Sequence, residues 1–111
     1  MSREPRHRVD DIAAAILAIR AHLDRGGLDD GLVFDAVRMR LVEIGEAVKD
    51  LPQSLLATEP KIPWRDVAGM RDRLAHRYFD TTHAVLEATV TTELPALDAA
   101  VQRLRKRASE S

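Results

Sequence analysis

VDDIAAAILAIRAHLDRGG, residues 9–27, places Val9, Ile12, Ile16, Ile19 and Leu23 at steps of three and four. That period is the apolar stripe of an α-helix and not the alternation of a strand. Asp10 and Asp11 are expected in its first turn, and Gly26-Gly27 stops it. The same period returns from Asp29 or Asp30 to Asp50, where Val33, Val37, Leu41, Ile44, Val48 and Leu51 form a second inward stripe. Pro52 argues against a straight continuation. Residues 52–62, PQSLLATEPKI, read as a connector holding a short apolar turn at Leu55 and Leu56. Pro63 falls at the first turn of a third helix, where its missing amide does no harm. A last helix starts at Asp80 or Thr81 and runs to about Arg107, with Leu86, Val90, Leu94, Leu97, Val101 and Leu104 inward and a kink predicted at Pro95. No strand pattern or repeat interrupts this series. The expected fold is all-α, an antiparallel bundle of four main helices with a short extra helical turn, in one domain over residues 1–111.

Composition narrows what such a bundle can do. The chain has no cysteine, which removes disulfide and thiolate-metal chemistry, and no histidine pair has a zinc-motif spacing, so no metal and no cofactor are expected. The longest apolar run, Ile12 to Ile19, is too short for a membrane span, and the polar start MSREPRHRVDD does not resemble a secretory leader, so a cytoplasmic location is expected. Charge is balanced, with 17 Lys plus Arg against 18 Asp plus Glu, so any contact with nucleic acid has to be local.

Such a local feature lies in the third helix. Residues 64–79 hold Arg65, Arg71, Arg73 and Arg77 against Asp66 and Asp72, together with Trp64, Tyr78 and Phe79. Cations interleaved with aromatics can grip phosphates and stack bases; alternatively, Trp64 and Phe79 are core and the arginines a solvated face. Within GMRDRLAHRYFD, residues 69–80, the order R-x-x-x-x-H-x-Y falls on Arg71, His76 and Tyr78. Arginine offers a planar charged fork to phosphate oxygens, and histidine exchanges protons near neutrality. On a straight helix Arg71 and Tyr78 share a stripe, while His76 lies about 140° from Arg71. Convergence therefore requires the helix to end or distort near His76, or a second chain to complete the site, and both are expected. The glutamates at 43 and 46 either orient arginines or line the groove, and Gly45 lets another helix approach closely.

These residues resemble the HepT-like branch of the HEPN superfamily. The likeness runs through RLVEIGEAVKDLP (residues 40–52), IPWRDVAGMRDRLAHRYFD (62–80) and ELPAL (93–97). It implies a HEPN-like bundle and a toxin that cleaves RNA, encoded beside a minimal nucleotidyltransferase antitoxin. The resemblance assigns the ribonuclease site to Arg71 and His76, and the AMP acceptor to Tyr78. Many members carry asparagine after the arginine, where this chain has Asp72. Asp72 could pair with Arg71, Arg73 or His76, so Asp72 and Arg73 are candidates for site support.

RNA supplies its own nucleophile, the 2′-hydroxyl, so a metal-free enzyme needs proton transfer, assigned to His76 as base or acid, and charge stabilisation, assigned to Arg71. A homodimer of about twice the 12.4 kDa chain mass is expected, with a larger hetero-oligomer conceivable once the antitoxin binds. The alternative is a non-enzymatic helical dimer that acts as binding partner or substrate of a nucleotidyltransferase.

Overall fold

A computed structural model of the chain describes residues 4–74 and 79–110, and every described element is helical. Helix α1 spans Pro5–Arg25 and α2 spans Gly31–Lys49. A four-residue turn, α3, covers Gln53–Leu56, followed by α4 (Trp64–Ala68) and α5 (Met70–Leu74). Helix α6 (Phe79–Ala88) passes through a π-helical turn, Thr89–Glu93, into α7 (Leu94–Glu110). No described helix is long and apolar enough to cross a membrane.

The inward stripes read from the sequence form one core. Val9, Ile12, Ile16 and Ile19 of α1 meet Val37, Leu41, Ile44 and Val48 of α2, with Leu97, Val101 and Leu104 of α7 in the same cluster. Helix α1 packs between α2 and α7, while α4 and α5 pack on α2. Charged residues pin the edges. Arg8 bridges Asp11 at 3.3 Å and Asp50 at 2.7 Å, tying the start of α1 to the end of α2. Arg20 reaches Asp98 at 2.9 Å and Arg105 reaches Asp10 at 3.1 Å, both between α1 and α7.

Local chemistry explains where most elements start. Asp30 caps α2 by accepting from the amides of Leu32 (2.9 Å) and Val33 (3.5 Å). Helix α1 begins earlier than the stripe suggests, at Pro5, so Asp10 and Asp11 lie beyond its first turn. Proline suits that first position because its ring presets the helical φ and the missing amide would have been unpaired.

One further expectation is corrected, and another takes a specific form. The third helix is not continuous: it breaks at Gly69, between α4 and α5, ahead of the motif. The kink attributed to Pro95 takes the form of the π-turn immediately before it. Proline cannot donate to the carbonyl one turn back and its ring crowds that carbonyl, so the helix widens there. The hydroxyls of Thr89 and Thr91 donate to the carbonyls of Val85 and Glu87, each at 2.7 Å. The widened turn buries Thr89 and leaves Val90 only half-buried.

The connector is locked to α7 by one ion pair. Glu59 is buried, and its carboxylate accepts from Arg103 Nε at 2.9 and 3.0 Å and from Nη2 at 2.7 Å. Hydrogen bonding from Arg103 holds the Glu59 carboxyl below its ordinary value of 4.5, against the opposing effect of burial, and the charges of Arg103 and Arg107 add to the lowering. A depressed folded value means that this contribution is present above 4.5 and lost as pH falls through the folded value. The melting temperature is therefore expected to fall by several degrees on acidification below pH 4.5. Thermal melts of wild type and Glu59→Gln at stepped pH check this. The variant should melt lower at neutral pH and lose that part of the acid dependence; parallel curves for the two proteins would refute it.

Candidate active site

The motif helix is anchored from below before it displays anything. Trp64, at the start of α4, donates its indole N–H to the carbonyls of Leu56 and Glu59, each at 3.0 Å, and packs half-buried against the core. Its polar handle is thus used on the connector. Val67, Met70 and Leu74 are buried. The joint between α4 and α5 sits directly over Gly45 of α2: a Cβ built there would lie 2.7 Å from the Val67 carbonyl oxygen and 3.2 Å from Met70 Cβ. The close helix approach expected at Gly45 is what the structure has.

Arg71 then stands on the outer side of α5, its side chain 67% exposed. Its Nη1 lies 3.2 Å from Glu46 Oε1, while Lys49 Nζ lies 3.0 Å from Glu46 Oε2. Of the two alternatives for these glutamates, Glu46 takes that of orienting an arginine; Glu43 pairs with Arg40 at 2.9 Å. Lys49 first, then Arg71, hold the Glu46 carboxyl below its ordinary value, with desolvation opposing. One carboxylate faces two cations here, so the cluster keeps an excess positive charge at the α2/α5 edge.

Arg73 is half-buried on the other side of α5, beside a cavity of about 240 Å³ lined by Leu41, Ile44, Val67, Met70 and Leu97. Asp72 is exposed, and among the described residues it forms no ion pair with Arg71 or Arg73. His76 and Tyr78 lie outside the described residues, as does the expected distortion of the helix at that point.

Two contacts on either side of residues 75–78 have no counterpart in the sequence reading. Arg38 of α2 donates from Nη1 to the Leu74 carbonyl at 3.2 Å, placing a cation on the last described turn of the motif helix. His83, assigned no role from sequence, stacks on Phe34 with ring centroids 5.7 Å apart and planes 8° off parallel. Both join α2 to the segments on either side of residues 75–78. They connect residues far apart in the chain, and no local motif marks them.

The chain matches the family model described as ribonuclease HepT-like over residues 9–104. It belongs to the ribonuclease HepT-like family. Among its relatives is a protein named probable ribonuclease HepT from Thermococcus cleftensis, 34% identical over 110 residues that cover 96% of this chain and 100% of that protein. A protein provisionally named an RNase from Caldanaerobacter subterraneus is 41% identical over 61 residues, 55% of this chain and 54% of that one. Another provisionally named RNase, from Methanocaldococcus jannaschii, is 37% identical over 71 residues, covering 64% and 61% of the two chains. No solved structure matches the chain. Family membership supports ribonuclease activity at the level of the family, and Arg71 on α5 belongs to the motif that carried the resemblance.

Proposed function

We propose that this HepT-like chain is a metal-independent endoribonuclease toxin of the cytoplasm that cleaves RNA through Arg71 and His76, and that a partner nucleotidyltransferase antitoxin silences it by attaching AMP to Tyr78. The observation that carries this reading is Arg71 itself, exposed and aimed by Glu46 in an edge where cations outnumber carboxylates. A permanent fork so displayed fits a phosphate oxygen and the charge that grows on it during transfer.

The bonds balance without a metal. The ribose 2′-oxygen attacks the adjacent phosphorus while His76 takes its proton, and the bond to the 5′-oxygen breaks, with that oxygen receiving a proton. The product is a 2′,3′-cyclic phosphate, open to later hydrolysis. One histidine can do both jobs in turn, or a second copy of the chain can divide them. A second copy facing the α2/α5 edge would supply that divided site.

Purified protein is expected to cut total RNA, to leave DNA intact for want of the 2′-hydroxyl, and to retain full activity in EDTA. Gel analysis of the products checks all three. Loss on chelation with rescue by a divalent ion would exclude the metal-free mechanism, and inert wild-type protein would favour the non-enzymatic partner reading. The active species should weigh at least two chains of 12.4 kDa by light scattering. A strict monomer that cleaves would rule out a shared site.

Silencing follows from charge. The Tyr78 hydroxyl oxygen attacks the α-phosphorus of ATP held by the partner enzyme and gives up its proton to solvent, pyrophosphate leaves, and an anionic AMP group remains in a motif that depends on Arg71. A bulky anion competes for the cation that RNA needs. Co-expression with the nucleotidyltransferase should add mass in AMP steps to the Tyr78 peptide, absent from Tyr78→Phe. Modified protein that still cleaves normally would end this account of regulation.

A further inference from the structure

Along the outer face of α1, Arg6, Asp10, Ala13, Leu17, Arg20 and Asp24 recur at steps of three and four. At about 100° per residue they lie within about 40° of one line down the helix. The four charged members are exposed, and Leu17, at the middle, leaves 71% of its surface in solvent. A lone exposed leucine needs no explanation. The order of charges around it does: cation, anion, alanine, leucine, cation, anion.

Laid antiparallel on its own copy, with the two-fold axis beside residue 15, this stripe sets Arg6 against Asp24, Asp10 against Arg20 and Ala13 against Leu17. Every charge then meets its opposite, twice over. Sliding by one turn sets Arg6 against Arg20 or Asp10 against Asp24, and a parallel pairing sets like against like throughout. Complementarity in one register with repulsion in the neighbouring ones is how charges specify a partner.

The neighbouring helix extends the pattern. Helix α7 places Asp98 beside Arg20 at 2.9 Å and Arg105 beside Asp10 at 3.1 Å, so the same axis turns Asp98 towards Arg105 of the second copy. Between these charged ends the groove of about 370 Å³ along α1 and α7 is lined by Ala13, Ala14 and Leu17, which leaves room for the second Leu17. Helix α1 has 21 residues, hence a length of about 31 Å over which the two copies can meet.

We propose that this face of α1, with the α1/α7 groove beside it, pairs with the same face of a second copy of this chain about a two-fold axis. The surface lies on a different pair of helices from the α2/α5 edge that carries Arg71, so it stands apart from the ribonuclease reading. Where both surfaces are occupied and the two axes cross at right angles, four chains close into one assembly.

Leu17→Asp puts two like charges at the axis and should halve the mass measured by light scattering at tens of micromolar. Leu32→Asp, on the outer face of α2 where Leu32 is 84% exposed, should leave the mass at the wild-type value. Both side chains are in solvent, so helicity should be unchanged. Arg20→Asp, which opposes Asp10 of the second copy, is the second variant and should also halve the mass. Equal masses for wild type, Leu17→Asp and Arg20→Asp overturn the proposal, as does an equal fall in Leu32→Asp. RNA cleavage is read separately: Leu17→Asp protein that still cuts RNA places the active species outside this surface, and failure of the α1 pairing leaves the Arg71 site as it was.

Discussion

Gly45→Val is expected to lower the melting temperature by more than about 10 °C, corresponding to about 3 kcal/mol or more for a domain of this size. Glycine inside a helix ordinarily costs about 1 kcal/mol relative to alanine, so on propensity alone any side chain at this position should stabilise α2. The tertiary contact reverses the sign. A Cβ at residue 45 would lie 2.7 Å from the Val67 carbonyl oxygen, 3.2 Å from Met70 Cβ and 3.4 Å from the Ala68 carbonyl oxygen. Two of those three atoms are backbone, so no rotamer change relieves the clash; α4 and α5 must move off α2 as a unit. Gly45→Ala already meets the closest contact and should destabilise, while valine adds two methyls and a restricted rotamer. Because α5 carries Arg71, displacing it also separates Arg71 from Glu46, and RNA cleavage should fall with stability. Thermal melts by circular dichroism decide the matter: a Gly45→Ala protein as stable as wild type would mean that the helices can part at little cost.

The helical stripes were legible because burial is periodic. Each position named inward on α2 is buried, as are all those on the last helix except Val90. The break at Gly69 was not legible, since nothing local distinguishes Gly69 from a glycine tolerated inside a helix. The break belongs to the crossing over Gly45, which is a fact about two segments at once. The proline signal at residue 95 was read correctly as a distortion. Its form depends on the threonine hydroxyls of Thr89 and Thr91, which bond the carbonyls one turn back and so stabilise the wider turn.

The site divides along the same line. Arg71 was legible as a chemical type, but its exposure was not, since it lies only about 60° round the helix from the buried Leu74 and about 100° from the buried Met70. Glu46 was legible only as one of two groove glutamates, because its choice of Arg71 and Lys49 depends on how α5 crosses α2. Arg38 on the Leu74 carbonyl spans 36 residues of chain, and Phe34 against His83 a longer distance still; such pairs leave no periodic trace.

Arg71→Ala is expected to reduce RNA cleavage by about 10²–10³-fold, the usual effect of removing one group that stabilises charge in the transition state. His76→Ala should cost about 10²–10⁴-fold through loss of proton transfer. The Arg71 result is the more diagnostic because its structural cost is small. The side chain is 67% exposed and its partner Glu46 keeps Lys49 at 3.0 Å, so truncation leaves no buried charge behind. Helicity and melting should therefore stay near wild-type values while activity falls. Arg71→Lys separates charge from geometry: it keeps the cation but loses the planar fork, so cleavage should fall between wild type and Arg71→Ala. Both variants should bind RNA more weakly by a smaller factor than they lose turnover, because a group that acts on the growing charge contributes more to the transition state than to the ground state. Single-turnover cleavage with saturating enzyme measures the chemical step, and filter binding measures affinity. An Arg71→Ala protein that cleaves at the wild-type rate once RNA is saturated would show that Arg71 only gathers RNA, and the charge-stabilising role would then have to lie with another cation of the α2/α5 edge.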